Sequence, residues 1–154
     1  MKHRVVAILN LLKAKSAAGF TGGIRDFQPI AERAFELQTE LPGKIVLSWE
    51  SGGDNELLRI EIIHGFAYLD LNSAENPTQF LIEMLGQNVP SFRGSSAYLG
   101  LKEESNRQVV CLNASHQFIA TISDSEIAES LSIAIFDLKM GWMLEFPPPV
   151  KVWN

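Results

Sequence analysis

Residues 123–143, SDSEIAESLSIAIFDLKMGWM, are the segment that most constrains how this chain folds. They open with a capping box, in which Ser123 caps a helix while the Glu126 side chain reaches back to the backbone N–H of Ser123. Helical periodicity places one apolar side at Ile127, Leu131, Ala134, Ile135, Leu138 and Trp142. The opposite side also is apolar, with Ile133, Phe136, Met140 and Met143, and polar residues that include Asp137 lie between the two sides. A surface helix needs one apolar face, so the sequence predicts that a sheet covers one side and that the other needs a separate cover.

Composition places the chain among ordinary globular proteins. Its 154 residues are 46% hydrophobic and 20% charged, which suits a single domain over residues 1–154 whose core needs no disulfide. The one cysteine, Cys111, lies in the apolar run RQVVCLNA, which predicts a buried, reduced thiol and a cytoplasmic protein. No segment approaches the roughly 20 apolar residues that a membrane-spanning helix requires.

The N-terminal segment combines a basic start with an apolar stretch, as a secretory signal does. Asn10, Lys13 and Lys15 interrupt that stretch. Its apolar residues instead share one helical face, formed by Val5, Ile8, Leu9 and Leu12. Residues 1–22 are therefore predicted to be an amphipathic helix followed by a glycine-rich break, in preference to a cleaved signal.

Charge is unevenly distributed along the chain. The net charge is −5, yet the charged residues within 1–15 are all basic: Lys2, Arg4, Lys13 and Lys15. We expect no binding to nucleic acid, because affinity for a phosphate backbone depends on clustered Lys and Arg in a basic protein. A basic amphipathic segment is able to contact an anionic membrane surface. We expect residues 1–15 to dock on the acidic remainder of the chain instead.

The next segments change from a helical to a period-two pattern. IRDFQPIAERAFELQTELPG predicts a second helix that has Pro29 in its first turn and ends at Pro42-Gly43. The apolar side of this helix would contain Ile30, Ala34, Leu37 and Leu41. KIVLSWE, LLRIEIIH and FAYLDL predict three strands of an antiparallel meander, with a turn over residues 51–55 and a reversal at His64-Gly65.

The second half of the chain predicts a short helix, further strands and the last helix. Asn76-Pro77 opens the short helix, which contains FLIEML. SAYLGLKEE predicts a strand, and residues 107–122 are either one bent strand or two short ones. The tail, residues 145–154, has three consecutive prolines and is expected to be extended. The order α-α-βββ-α-ββ-α indicates an α+β fold, an antiparallel sheet of five or six strands with helices mainly on one face.

No motif predicts catalysis, a cofactor or a metal. The three histidines, His3, His64 and His116, have no His or Cys partner at zinc-ligand spacing. A nucleophilic triad built on Cys111 would be recognised only by its geometry. The two Gly-Gly pairs match neither a phosphate loop nor a dinucleotide fingerprint. We therefore assign no catalytic, cofactor-binding or metal-ligating residue and expect a protein that is not an enzyme.

The pattern over residues 28–143 resembles the type III secretion chaperone-like fold and, within it, the YbjN-like proteins, also called bacterial sensory transduction regulators. The matching stretches are the predicted second helix, KIVLSWE, LLRIEIIH, FAYLDL, FLIEML, AYLGLKEE with RQVVCLNA, and the last helix opening ISDSEIAESL. The resemblance implies a curved antiparallel sheet with helices on one side, frequent homodimers, and partner binding without catalysis. The basic first helix and the Pro-Trp tail are additions to that pattern.

The second apolar face of the last helix provides the candidate partner-binding residues, Ile133, Phe136, Met140 and Met143. Burial of such a side chain is worth about 1.5–3 kcal/mol, so either the N-terminal helices or a second protein should cover them. The sequence favours a non-catalytic cytoplasmic interaction or chaperone-like domain that acts as a homodimer and binds a partner protein. The alternative is a small-molecule-binding or enzymatic domain with a cavity between sheet and helices.

Overall fold

The computed structural model of the chain describes residues 1–20, 22–40, 44–69, 98–104, 107–142 and 150–152. The elements within these ranges are α1 (Lys2–Ala17), β1 (Asp26–Ala31), β2 (Ala34–Gln38), β3 (Lys44–Gly52), β4 (Leu57–Leu69), β5 (Tyr98–Glu104), β6 (Arg107–Ile119), α2 (Asp124–Trp142) and β7 (Val150–Val152). Every strand pairing is antiparallel, in the order β1-β2-β3-β4-β6-β5, and β7 pairs with the end of β4. The predicted α+β class is confirmed, with seven strands in the described part of the sheet instead of five or six.

The core lies between one face of the sheet and the two helices. Alternate side chains of β3 and β4 are buried, and the register places Leu47 opposite Ile62 and Trp49 opposite Ile60. The helices contribute apolar residues to the same buried cluster: Val5, Ile8, Leu9, Leu12, Ile127, Leu131, Ile135 and Leu138. These are the faces that the sequence predicted for the first and last helices, so both predicted helices are confirmed.

The other face of the sheet is more polar. Glu50, Arg59 and Gln117 lie side by side on β3, β4 and β6, and all three are exposed. One face on a core and one face toward water is the usual arrangement of an antiparallel sheet. Cys111 alternates onto the same face as Gln117 but is only 1% exposed, and it is the one cysteine of the chain. The predicted burial of Cys111 is thus confirmed.

The second helix predicted by the sequence is wrong, because residues 26–38 form the hairpin of β1 and β2. Phe35 and Leu37 are buried two residues apart, as a strand requires, and Phe35 stacks on Trp49 with ring centroids 5.5 Å apart. Pro29 lies in β1 at the end of the strand order, where a strand tolerates a residue without an N–H. Ile30, expected on a buried helix face, is 43% exposed. Leu41, Pro42 and Gly43 lie outside the described residues.

The reversal predicted at His64-Gly65 also is wrong, because β4 runs without interruption from Leu57 to Leu69. The glycine is accommodated by a shift in register between Gly65 and Ala67 against β6. β3 pairs with β4 as far as Gly65, and β7 pairs with β4 from Ala67 to Leu69. β6 pairs with the other edge of β4 along the whole strand. β7 therefore pairs with the part of the β4 edge that lies beyond the end of β3.

The remaining predictions concern the second half of the chain. The strand predicted in SAYLGLKEE is confirmed as β5, and residues 107–119 form the single strand β6, which decides the alternative left open by the pattern. The capping box is confirmed, since the N–H of Glu126 donates to Ser123 Oγ at 3.3 Å and the N–H of Ser123 donates to Glu126 Oε2 at 3.1 Å. In the tail, residues 150–152 are extended as β7. The helix predicted at Asn76-Pro77 lies outside the described residues.

Two glycines allow the connection after α1 to pass close to both helices. A Cβ on Gly22 would lie closer than 3.0 Å to the backbone oxygen and Oγ of Ser132 in α2, and a Cβ on Gly23 would overlap the backbone of Ser16 in α1. The glycine-rich break predicted by the sequence is therefore a site of close packing between α1, α2 and the chain that leads to β1.

Gly22→Ala is expected to lower the free energy of unfolding by about 1–3 kcal/mol, because the added methyl group forces Ser132 and α2 to shift. Gly52→Ala is the matched control, since a Cβ on Gly52 meets no atom within 4 Å. Urea denaturation of both variants measures the difference. Equal stability of the two variants would contradict this account of the glycine break.

Candidate interaction surface

Arg4 joins α1 to the start of α2. Its Nε donates to Asp124 Oδ1 at 2.7 Å, and its two terminal nitrogens donate to the carbonyl oxygens of Ala120, at 2.7 Å, and of Ile122. The planar guanidinium therefore satisfies two carbonyl groups in the turn between β6 and α2 and pairs with a carboxylate in the first turn of α2. The position of α1 is thereby tied to the start of α2.

Two further basic residues of α1 pair with acidic residues of the same chain. Lys13 Nζ lies 3.0 Å from Asp26 Oδ1 of β1, and Lys15 Nζ contacts Glu129 Oε2 of α2. The expected docking of the basic segment on the acidic remainder of the chain is confirmed by these contacts. The apolar side of this segment meanwhile is buried in the core.

Two exposed apolar side chains, Leu11 and Phe20, lie near Lys15. The Lys15 Nζ lies 5.5 Å from the centroid of the Phe20 ring, which is 62% exposed. Leu11, one helical turn before Lys15, is 39% exposed. Neither Leu11 nor Phe20 was predicted to belong to a binding surface, because Leu11 falls outside the Val5-Ile8-Leu9-Leu12 face and Phe20 lies in the glycine-rich break. The sequence does contain one indication of this surface: Leu11 and Lys15 are four residues apart, which places them on the same side of a helix.

The residues predicted to bind a partner continue this surface along α2. Ile133 and Phe136 are half-buried and lie one and two helical turns beyond Glu129. The backbone of Met140 belongs to α2, but its side chain and the whole of Met143 lie outside the described residues. We define the helix-layer surface as Leu11, Lys15 and Phe20 together with Glu129, Ile133 and Phe136.

A second group of polar residues lies beneath α2. His64 of β4 and Asp137 of α2 are both 0% exposed, although the sequence placed Asp137 at the polar margin between the two apolar sides. His116 of β6 stacks on Phe118 with centroids 5.9 Å apart. Burial lowers the pKa of His116 below its ordinary value, against the opposing influence of the Asp137 charge. A carboxyl and an imidazole that interact across a helix–sheet interface are groups able to hold or transfer a proton.

Among the described residues, His, Cys, Asp and Glu do not form any cluster of three or more that could hold a metal ion. No helix in the described part of the chain combines the length and the apolar character needed to cross a membrane.

Comparison with known proteins identifies no relative of this chain. No protein-family model matches the sequence, and no match is found among curated proteins or solved structures.

Three carboxyl groups near the helix layer have lowered pKa values. The hydrogen bond from Lys13 lowers the pKa of Asp26, and hydrogen bonds from the side chain and backbone of Ser123 lower that of Glu126. Burial raises the pKa of Glu40, but its own backbone N–H and the Lys139 ammonium, 3.0 Å away, outweigh that influence and lower the pKa overall. In all three cases the folded protein favours the ionised carboxylate.

Glu126→Gln is expected to make the acid-induced loss of stability less steep. A carboxyl whose pKa is lowered by folding stabilises the protein above its unfolded pKa, and this contribution disappears as the pH falls through the folded pKa. Gln retains the capping-box geometry but does not titrate. Urea denaturation at several values between about pH 7 and pH 3 measures the slope.

Ser123→Ala is the control for loss of the cap itself, with an expected decrease of about 0.5–2 kcal/mol in the free energy of unfolding at neutral pH. Identical pH slopes in wild type and Glu126→Gln would show that this carboxyl does not contribute to the acid sensitivity.

Proposed function

We propose that this chain is a non-catalytic, cytoplasmic protein-interaction or chaperone-like domain that acts as a homodimer and binds a partner protein. The observation that carries the proposal is the exposure of Phe20 and Leu11, at 62% and 39%, beside the Lys15–Glu129 ion pair. Large apolar side chains that share one exposed surface are typical of protein-binding sites. The buried thiol of Cys111, the one cysteine of the chain, is compatible with a reducing compartment.

Ile133 and Phe136 extend the proposed docking site along α2, and the sequence continues the same side with Met140 and Met143. Methionine side chains repack easily, which suits a surface that accepts partners of different shapes. The helix-layer surface therefore offers aromatic and aliphatic contact area around a central pair of charges.

The resemblance to the type III secretion chaperone-like fold supports partner binding in part. The antiparallel sheet with helices on one face agrees with the architecture that the resemblance implies. The resemblance begins with a helix, however, and this chain has the β1–β2 hairpin in that place. The proposal therefore rests chiefly on the surface and only secondarily on the YbjN-like pattern.

Size-exclusion chromatography with light scattering of the full chain tests the homodimer. We expect a dimer for the wild type and monomers for Phe136→Asp and Met140→Asp, because a charge introduced into an apolar interface is left without compensation. Ser115→Asp, on the exposed outer face of the sheet, is the control and should remain a dimer. Circular dichroism establishes whether each variant is folded.

A folded wild type that is monomeric at every concentration would contradict the homodimer. A monomeric wild type together with an unfolded Phe136→Asp variant would show that the second apolar side of α2 packs within the chain. Affinity capture from the native host with the wild type as bait then identifies the partner, and Ser115→Asp, which leaves the helix-layer surface unchanged, is the matched control bait that should retain it.

The alternative, a small-molecule-binding or enzymatic domain, is favoured by one observation, the burial of Asp137 between α2 and the sheet, where its charge acts on His116. Ionisable groups that are fully buried and electrostatically coupled concentrate at functional sites, although structural networks contain them as well. A site of this kind would use Asp137 and His116 to position or protonate a ligand, and the chain would belong to a different functional class.

Asp137→Asn is expected to lower the pKa of His116 further, because the nearby negative charge raises that pKa in the wild type. NMR titration of the imidazole resonances measures the change, and Glu129→Gln, which alters an exposed carboxylate on α2, is the control. An unchanged His116 pKa would remove the basis for an acid–base pair. For a ligand site, Asp137→Asn should also abolish the thermal shift caused by any compound that stabilises the wild type.

A further inference from the structure

The Lys15–Glu129 ion pair lies at the junction of the two helices and at the centre of the helix-layer surface. The side-chain exposures of its members are 25% and 59%, so both charges are accessible to another molecule. The apolar members of the surface, Leu11 and Phe20 on one side and Ile133 and Phe136 on the other, flank the pair. The central charges of this surface cancel each other.

We propose that the occupant of the helix-layer surface is a second copy of this chain, docked about a two-fold axis that passes beside the Lys15–Glu129 pair. This inference rests on the homodimer proposed above and specifies its interface. Contacts across a two-fold interface are reciprocal. If one residue of the first copy contacts a second residue of the other copy, the same two residues also meet with the copies exchanged. An axis beside the pair therefore brings each Lys15 close to the Glu129 of the other copy, and the four charges alternate in sign.

The charge of the whole chain favours this site for self-association. Two copies with a net charge of −5 repel each other, so their contact requires a region in which charge is locally balanced. Lys15 and Glu129 provide that balance, and exposed alanines of α1, Ala7 and Ala14, leave the approach uncharged. The surface is thus electrostatically complementary to itself.

The size of the surface predicts a weak dimer. A helix of 16 residues is about 24 Å long, and two helices side by side at about 9 Å between axes are about 20 Å wide. Contact over this footprint buries on the order of 1,000 Å² in total, which is the lower end of the range for specific interfaces. The dimer should therefore dissociate on dilution.

Charge-reversal variants of Lys15 and Glu129 test the proposal, because packing within one chain cannot produce a dimer of two different variants. Lys15→Glu alone and Glu129→Lys alone each place four like charges around the axis, so each variant should be monomeric. An equimolar mixture of the two variants restores opposite charges across the interface, and native mass spectrometry should detect the mixed dimer. A chain that carries both substitutions has its internal pair restored in reverse and should form a homodimer.

The possible results separate this interface from the homodimer itself. A mixture that stays monomeric while the wild type dimerises, or single variants that remain dimers, would overturn the interface and leave the homodimer standing. A monomeric wild type would overturn both. Because the ion-pair variants also lose an internal contact, Leu11→Glu provides a second test: it should be a monomer with an unchanged melting temperature, and a dimeric Leu11→Glu would overturn the interface.

Discussion

The apolar side of α2 packs against β4 and β6, and this contact determines where the rest of the helix layer can lie. α1 makes its principal contacts with α2, and two of its polar anchors are on or beside that helix: Arg4 bonds to Asp124 and the turn before it, and Lys15 bonds to Glu129. The chain between α1 and β1 then passes against Ser132, where only a glycine fits. Loss of the α2–sheet contact would therefore release α1 as well, together with the four side chains that it buries.

The elements that the sequence predicted well are those specified by local interactions. α2 has its capping box within four residues and an uninterrupted buried side, so its start and its orientation follow from neighbouring residues. The side chains of β3 alternate between buried and more exposed, and the sequence of β5 alternates leucines with other residues. The β1–β2 hairpin was missed because Ile30, Ala34 and Leu37 also fit a helical spacing, and the decisive contact, the stacking of Phe35 on Trp49, depends on the register with β3.

In the candidate site too, features that depend on local spacing could be predicted from the sequence, and features that depend on contacts between distant residues could not. The second apolar side of α2 could be recognised from periodicity, since Ile133 and Phe136 are three residues apart. The exposure of Leu11 and Phe20 depends on the direction in which α1 docks, and the pairing of Lys15 with Glu129 joins residues 114 positions apart. The burial of Asp137 likewise follows from the placement of α2 across β6, because spacing alone placed this residue with the other polar side chains.

The contact between Arg4 and Asp124 spans 120 residues and has a consequence for biosynthesis. α1 is synthesised before the helix on which it packs, because the contact joins residues 120 positions apart. At synthesis rates of about 5–20 residues per second, the nascent α1 waits about 6–24 s for α2. During that interval Val5, Ile8, Leu9 and Leu12 have no native surface to cover them. Native assembly of the helix layer therefore cannot begin until α2 has been synthesised.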